Sequence, residues 1–318
     1  MTIEAAKAAL VPRNVLVTGG SGLIGTAVRR HLSKQGHSVN AIDITDFGRP
    51  DPELTIMGFE DTDRLDDLVK AREIDSIVHC GAISGPMLAH NNPMLIVQAN
   101  IVGTSQLLDL ARRHNLHRVV FSSSISVYGN ADTEVIDEST TTRPTSVYGS
   151  SKVSCETLLE GFSAEYGVDC ASLRIARVYG PYRRANCYLA NIIRDAKLGR
   201  VTEIPCDPDF AYHYIYVNDV AEALVEVLLA SRDFGGRVYN VSGGAALTMP
   251  EIAAIAQRTV DGAQIRLVPG ADEVPDVQRE FDISRIAREV GWTPRFSLER
   301  GLEAYGQAMA RDPASRPA

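Results

Sequence analysis

The 318 residues include 45% hydrophobic side chains, enough for a sizeable core in one large α/β unit with a smaller lobe. A formal net charge of −8 and a pI near 5.4 argue against nucleic acid or an anionic membrane surface as the main partner. Five scattered cysteines (Cys80, Cys155, Cys170, Cys187, Cys206), none in a C-x-x-C pair, read as reduced thiols of a cytoplasmic protein and exclude a disulfide framework.

Residues 1–12 and 312–318 read as tails. Glu4 and Lys7 interrupt the apolar run that a secretory leader needs, and no later segment is expected to span a bilayer. Strands are predicted at Asn14–Thr18, Ser38–Ile42, Asp75–Cys80, Arg118–Ser122 and Cys170–Ile175. Between them fall helices at Leu23–Gln35, Asp63–Ala71, Pro93–His114 and Tyr148–Tyr166. This alternation predicts an α/β fold built on a doubly wound parallel sheet. After Pro181 the rhythm changes. Helices at Tyr188–Leu198, Asn218–Ala230, Pro250–Arg258 and Leu298–Ala310 are separated by short strands and by the joints Gly235-Gly236 and Gly243-Gly244. We expect a first domain at 13–180, a smaller mixed α/β C-terminal substrate lobe at 181–311, and a segment, 210–242, partly interleaved with the first.

The first strand runs into Thr18-Gly19-Gly20-Ser21-Gly22-Leu23-Ile24-Gly25, a G-x-x-G-x-x-G loop that opens a helix. Gly19 permits the sharp turn, Gly22 admits a pyrophosphate to the backbone, and Gly25 allows close packing of helix on sheet. The free N–H groups at the helix start then face the phosphates. A carboxylate at the end of the second strand, Asp43, is placed to accept hydrogen bonds from the adenine-ribose hydroxyls and to repel a 2′-phosphate. Together these predict a Rossmann-type dinucleotide site that takes NAD in preference to NADP.

In Tyr148-Gly149-Ser150-Ser151-Lys152 the tyrosine and lysine share one helix face. A tyrosine hydroxyl, titrating near ~10, is a poor base at neutral pH unless a nearby ammonium stabilises the phenolate. Upstream, the serines of Phe121-Ser122-Ser123-Ser124 end a sheet strand, at the edge where doubly wound folds bind ligands. Each element is weak alone. The glycine loop, the acid, the serine strand and the Tyr/Lys pair gain their force from occurring in this order.

On these motifs the chain resembles the extended short-chain dehydrogenases/reductases of the NAD-dependent epimerase/dehydratase family. The likeness extends through His79-Cys80-Gly81-Ala82, Asn100-Ile101-Val102-Gly103-Thr104, Arg177-Val178-Tyr179-Gly180-Pro181, Tyr216-Val217-Asn218-Asp219-Val220-Ala221 and Gly291-Trp292-Thr293-Pro294. It implies catalysis by Ser124, Tyr148 and Lys152. It places cofactor contacts at Gly19, Gly22, Leu23, Ile24, Gly25, Asp43, Cys80, Gly81, Ala82, Asn100, Tyr148 and Lys152. It also implies a homodimer formed through the helices at Pro93–His114 and Tyr148–Tyr166. An adenine-binding aspartate is expected near Gly58-Phe59, with Asp61 the nearest candidate.

The departures narrow the chemistry. Where sugar-nucleotide 4,6-dehydratases carry Asp-Glu after the catalytic hydroxyl, this chain has Ile125-Ser126, so the proton carriers for water elimination are gone. Two diphosphate contacts of nucleotide-sugar 4-epimerases, an asparagine and an arginine, are replaced by Arg177 and Tyr212. The stretch from Pro181 to Tyr188 is also short. We therefore expect a small substrate, a sugar or sugar acid, oxidised at a secondary alcohol. Arg177, helped by Arg183 or Arg184, would hold its anionic end, unless Arg177 is merely a structural ion-pair residue. Ser84, Ser124, Arg177, Tyr212 and Arg279 form the expected substrate set. Arg279 occupies the region of a late phosphate-binding arginine and sustains the alternative of a UDP-sugar 4-epimerase with tightly bound NAD. His114 and His117 are not expected to bind a metal.

Overall fold

The computed structural model describes residues 13–85, 89, 91–230, 237–272 and 276–312. The expected tails, apart from Asp312, and the Gly235-Gly236 joint lie outside them. In chain order the elements are β1 (Asn14–Thr18), α1 (Leu23–Lys34), β2 (Ser38–Asp43), β3 (Leu54–Ile56), α2 (Thr62–Ala71), β4 (Ser76–His79), α3 (Pro93–Ile96), α4 (Gly103–Arg113), β5 (Arg118–Ser124), β6 (Val135–Ile136), α5 (Val147–Tyr166) and β7 (Cys170–Ile175). The remainder comprises β8 (Arg177–Tyr179), α6 (Tyr188–Lys197), β9 (Val201–Cys206), β10 (Ala211–Tyr212), β11 (Tyr214–Tyr216), α7 (Val217–Leu229), β12 (Val238–Val241), β13 (Leu247–Thr248), α8 (Met249–Thr259), β14 (Gln264–Pro269), β15 (Glu280–Phe281), α9 (Ser284–Val290) and α10 (Leu298–Arg311).

Seven strands pair in the order β12-β7-β5-β4-β1-β2-β3, parallel throughout. The chain winds outward through β2 and β3, then returns past β1 to β4. The crevice at this reversal is where doubly wound sheets bind ligands. Both faces are covered, which explains why the strands read as continuous apolar runs without alternation. Successive residues still point to opposite sides. Val15 and Val17 join Val28 and Leu32 of α1 in one core, whereas Leu16 packs with Leu65, Leu107 and Leu159 in the other. Each such fully buried aliphatic side chain stabilises the fold by about 1.5–3 kcal/mol.

The C-terminal part is assembled from short paired strands: β8 with β11, β9 with β14, β10 with β13, and β6 with β15. Late in the chain, β12 returns to the main sheet beside β7, with Val241 opposite Ile175.

The helix expected over Pro93–His114 runs from Pro93 to Arg113 and is widened in its middle. Between α3 and α4 the chain makes a π-helical turn over Val97–Val102, a widening frequent at functional sites. Asn100, at its centre, is buried, and its side chain hydrogen-bonds both the N–H and the C=O of Ile83 and the hydroxyl of Ser151. Contrary to the expectation from sequence, this 93–113 segment is long and apolar enough to cross a membrane by composition. It packs instead on the sheet, burying Leu107, Leu108 and Ala111.

Candidate active site

The glycine loop connects β1 to α1 at the sheet reversal. Gly19 has φ +64°, and a Cβ there would sit 2.7 Å from the Gly81 nitrogen. A Cβ on Gly25 would lie 2.1 Å from the Gly19 carbonyl oxygen, so any larger residue would push the helix out of the loop. The loop is thus a cradle that side chains would fill. No side chain caps the start of α1 at Gly22, which leaves the N–H groups of Leu23 and Ile24 for a phosphate. Asp43 ends β2 beside the loop and accepts from the N–H and hydroxyl of Ser21 at 3.1 and 2.7 Å. The donors and the carboxylate suit a dinucleotide with a free 2′-hydroxyl.

Cys80, Gly81 and Ala82 follow β4, on the far side of the crevice, and are held by a directional hydrogen-bond chain. The Gly81 N–H donates to Thr18 Oγ1 at 3.1 Å, and that oxygen lies 2.6 Å from His79 Nδ1. On the other side His79 Nε2 lies 3.0 Å from Thr104 Oγ1, whose hydroxyl donates to the Asn100 carbonyl at 2.5 Å. Since the Thr104 proton is committed, His79 carries its hydrogen on Nε2 and accepts from Thr18 at Nδ1. Asn100, through its bonds to both backbone groups of Ile83, braces the 81–83 loop from beneath.

Burial pushes the His79 pKa down from 6.5 to about 3, with Lys152 adding a smaller push in the same direction. Below pH 6.5 the unfolded chain takes up a proton here that the folded chain refuses. The stability is complete above 6.5 and is lost as pH falls toward 3, by at most about 1.4 kcal/mol per pH unit. Urea unfolding between pH 7 and 5 is expected to show a steeper loss for the native chain than for His79→Gln. Parallel pH slopes would refute this.

Ser124 is the last residue of β5, two residues beyond the expected strand end. Its Oγ accepts from the Ser126 N–H at 3.2 Å. Tyr148 lies in the first turn of α5, which Ser146 caps through the Gly149 N–H. One turn on, Lys152 is buried. Its Nζ donates to the Ser122 carbonyl at 2.7 Å and sits 5.8 Å from the Tyr148 ring centre. Ser124 and Tyr148 line one cleft.

Behind this trio runs a buried polar network. Ser123 donates to Glu156 at 2.6 Å, and Arg174 binds both oxygens of the same carboxylate. Arg174 also donates to the Tyr128 hydroxyl at 2.9 Å, which donates to Asn240 at 2.6 Å. The network joins β5, α5, β7 and β12. Sequence reasoning passed over Glu156 and Arg174. The available signals were an acid one turn past Lys152 and a lone charge inside an otherwise apolar strand.

The expected substrate residues divide. Ser84, Ser124 and Arg177 line the cleft; Tyr212 and Arg279 do not. Tyr212 is buried behind Arg177, its ring centre 5.1 Å from the guanidinium carbon. The following residues, His213 and Tyr214, reach the cleft in its place. Arg279 is exposed and pairs with Glu134 at 3.2 Å, whereas Gln278 turns inward and donates to the Ile125 and Gly129 carbonyls. At Arg279 the extended chain alternates its side chains, so Asp276 and Gln278 line the cleft and Arg279 faces away, whereas Tyr212 lies between Ala211 and His213, which line the cleft on either side of it. Arg177 is paired with the buried carboxylate of Asp272 at 2.7 Å, as the ion-pair reading had it. Arg183 lines the cleft, while Arg184 leaves it to stack on Phe47. Asp61 caps α2 by accepting from Arg64. His114 hydrogen-bonds Asp66 and His117 meets Arg13.

Residues 15–242 match the model of the NAD dependent epimerase/dehydratase family. The chain belongs to that family. A UDP-glucose 4-epimerase of Corynebacterium glutamicum is 26% identical over 298 residues, spanning 88% of this chain and 90% of that protein. A dTDP-glucose 4,6-dehydratase of Streptomyces niveus is 29% identical over 307 residues, 91% of this chain and 90% of the other. Among solved structures, MoeE5 in complex with UDP-glucuronic acid and NAD superposes with a TM-score of 0.82 at 28% identity, covering 94% of this chain and 99% of that one. The chain is an NAD-dependent enzyme of the extended short-chain dehydrogenase/reductase type.

Proposed function

We propose that this family member oxidises a secondary alcohol of a free sugar or sugar acid, with Ser124, Tyr148 and Lys152 as catalytic residues. The observation that carries the reading is the charge arrangement of the cleft. Arg177 is neutralised by Asp272, and a second carboxylate, Asp276, also lines the wall. Asp276 accepts from the Thr145 hydroxyl at 2.5 Å. Asp272 is spent on Arg177 and Asp276 offsets Arg183, so the wall has no surplus of cations to balance a doubly charged diphosphate, whereas a small, singly anionic or neutral substrate is tolerated.

The glycine loop, Leu23, Ile24 and Asp43 would hold NAD, with Cys80, Gly81 and Ala82 lining its other side. Bound NAD supplies the hydride acceptor. Tyr148 takes the proton of the substrate hydroxyl as the carbon is oxidised. Lys152, buried and anchored on the Ser122 carbonyl one helical turn from Tyr148, holds its amino group beside that ring. Ser124, itself buried at the end of β5, holds the reacting oxygen by a hydrogen bond.

A panel of sugars, sugar acids and UDP-sugars, followed by NADH absorbance, tests this. NADH formation with a free sugar or sugar acid is the expected result. The similarity to 4-epimerases supports a second reading. Conversion of UDP-glucose to UDP-galactose with no net NADH would establish that reading and overturn ours.

The same reading includes a dinucleotide domain at 13–180, a substrate lobe at 181–311 and the interleaved segment 210–242. It also includes a homodimer. Met94 and Leu95 on α3 and Val147 and Tyr166 on α5 are exposed apolar residues on neighbouring helices, an arrangement suited to association. All five cysteines are free, which supports the cytoplasm as its location.

A further inference from the structure

Two polar atoms around the cleft are buried without a partner among the described residues: Arg183 Nε and His213 Nδ1. Both residues line the cleft that holds Ser124 and Tyr148. Buried polar groups are almost always hydrogen-bonded, and an orphan at a binding cleft points to a missing ligand.

The two atoms differ in kind. Arg183 spends one terminal nitrogen on the Val178 carbonyl at 2.6 Å, and no carboxylate pairs with it among the described residues. Its neighbour Arg177 is already paired with Asp272. A guanidinium is always charged, and its remaining donors match a carboxylate. His213 is 2% exposed, and its Nε2 lies 3.3 Å from the Gln278 carbonyl oxygen. A carbonyl only accepts, so Nε2 carries the hydrogen and Nδ1 presents a lone pair. Burial lowers the His213 pKa and keeps the ring neutral. The cleft therefore offers one unpaired cationic donor and one neutral acceptor.

We infer that the substrate is a hydroxy acid whose carboxylate is held by Arg183 and one of whose hydroxyl groups donates to His213 Nδ1. This rests on the cleft being the substrate site, as proposed above. Arg183 replaces Arg177 as the residue that selects the acid, and the Arg177–Asp272 pair becomes a neutral wall. The task of His213 is specificity, because a site built to accept from a hydroxyl rejects the analogue that lacks it.

The test uses the full-length enzyme with NAD and a series of four- to six-carbon aldonates, their neutral alditols and their monodeoxy analogues. An aldonate is expected to be oxidised in preference to its alditol. Arg183→Met should raise KM for that aldonate about 10- to 100-fold with a smaller change in kcat, and Arg183→Lys should recover part of the loss. His213→Phe should narrow the preference for the aldonate over a monodeoxy analogue. NAD binding, read by fluorescence, confirms that the variants fold. If an aldonate is turned over but Arg183→Met leaves its KM in place, this inference falls and the dehydrogenase reading stands. If only neutral sugars are oxidised, the carboxylate assignment fails in the same way. If only UDP-sugars react, both fall.

Discussion

Tyr148→Phe is expected to lower kcat by about 10²–10⁴-fold, the usual contribution of a positioned acid/base group. The effect should be confined to chemistry. The ring still packs in the first turn of α5, and Lys152 keeps its bond to the Ser122 carbonyl, so the dinucleotide and substrate sites are left standing. NAD affinity by fluorescence titration and the unfolding midpoint should both match the native chain. Loss of the hydroxyl removes the proton acceptor and nothing else within the cleft. A variant that retains more than a tenth of the native kcat would require another base, and Ser124 would become the first residue to examine.

Arg174→Met is expected to destabilise the fold by about 3–5 kcal/mol, because it strands the Glu156 carboxylate in the interior. Glu156 then keeps only the Ser123 hydroxyl at 2.6 Å of its present partners. Tyr128 loses a donor as well. A second change distinguishes loss of the pair from loss of packing. The double variant Arg174→Met/Glu156→Leu removes both charges, and it should recover much of the stability lost by Arg174→Met alone. Urea unfolding of the two variants measures the difference. A double variant as unstable as, or less stable than, the single one would show that packing around the guanidinium matters more than its charge. Because the network ties Ser123 to α5, we also expect kcat to fall in Arg174→Met at temperatures where the protein stays folded.

The sheet and the cofactor loop were legible because their signals are local. Asn14–Thr18 and Cys170–Ile175 are short, mostly apolar runs whose ends follow from sequence alone, and the glycine loop needs only its own spacing and a following helix. Tyr148 and Lys152 were legible for the same reason, one helical turn apart. The substrate wall was not. It comes from segments without regular periodicity, so the face that each residue presents is decided by tertiary contacts. The readings at Tyr212 and Arg279 missed the cleft by one position each. No local pattern signals the Arg177–Asp272 pair, because Asp272 lies 95 residues away. The π-helical turn at Val97–Val102 was hidden as well, since its cause is the contact of Asn100 with Ile83 and Ser151, not its neighbours in the chain.

Ser124 belongs to β5, flanked by β4 and β7 and buried along its whole length, while the opposite wall of the cleft rests on the two-residue strands β10 and β13 and on loop segments. Amide hydrogen exchange should divide along that line. The strand amides of β5 are released only by global unfolding, whereas those of 210–214 and 276–278 open through small local fluctuations. The catalytic half thus inherits the cooperativity of the whole sheet. The half that selects the substrate can be remodelled by insertions and substitutions with little effect on the proton-transfer geometry, so new specificities are accessible on an unchanged reaction centre.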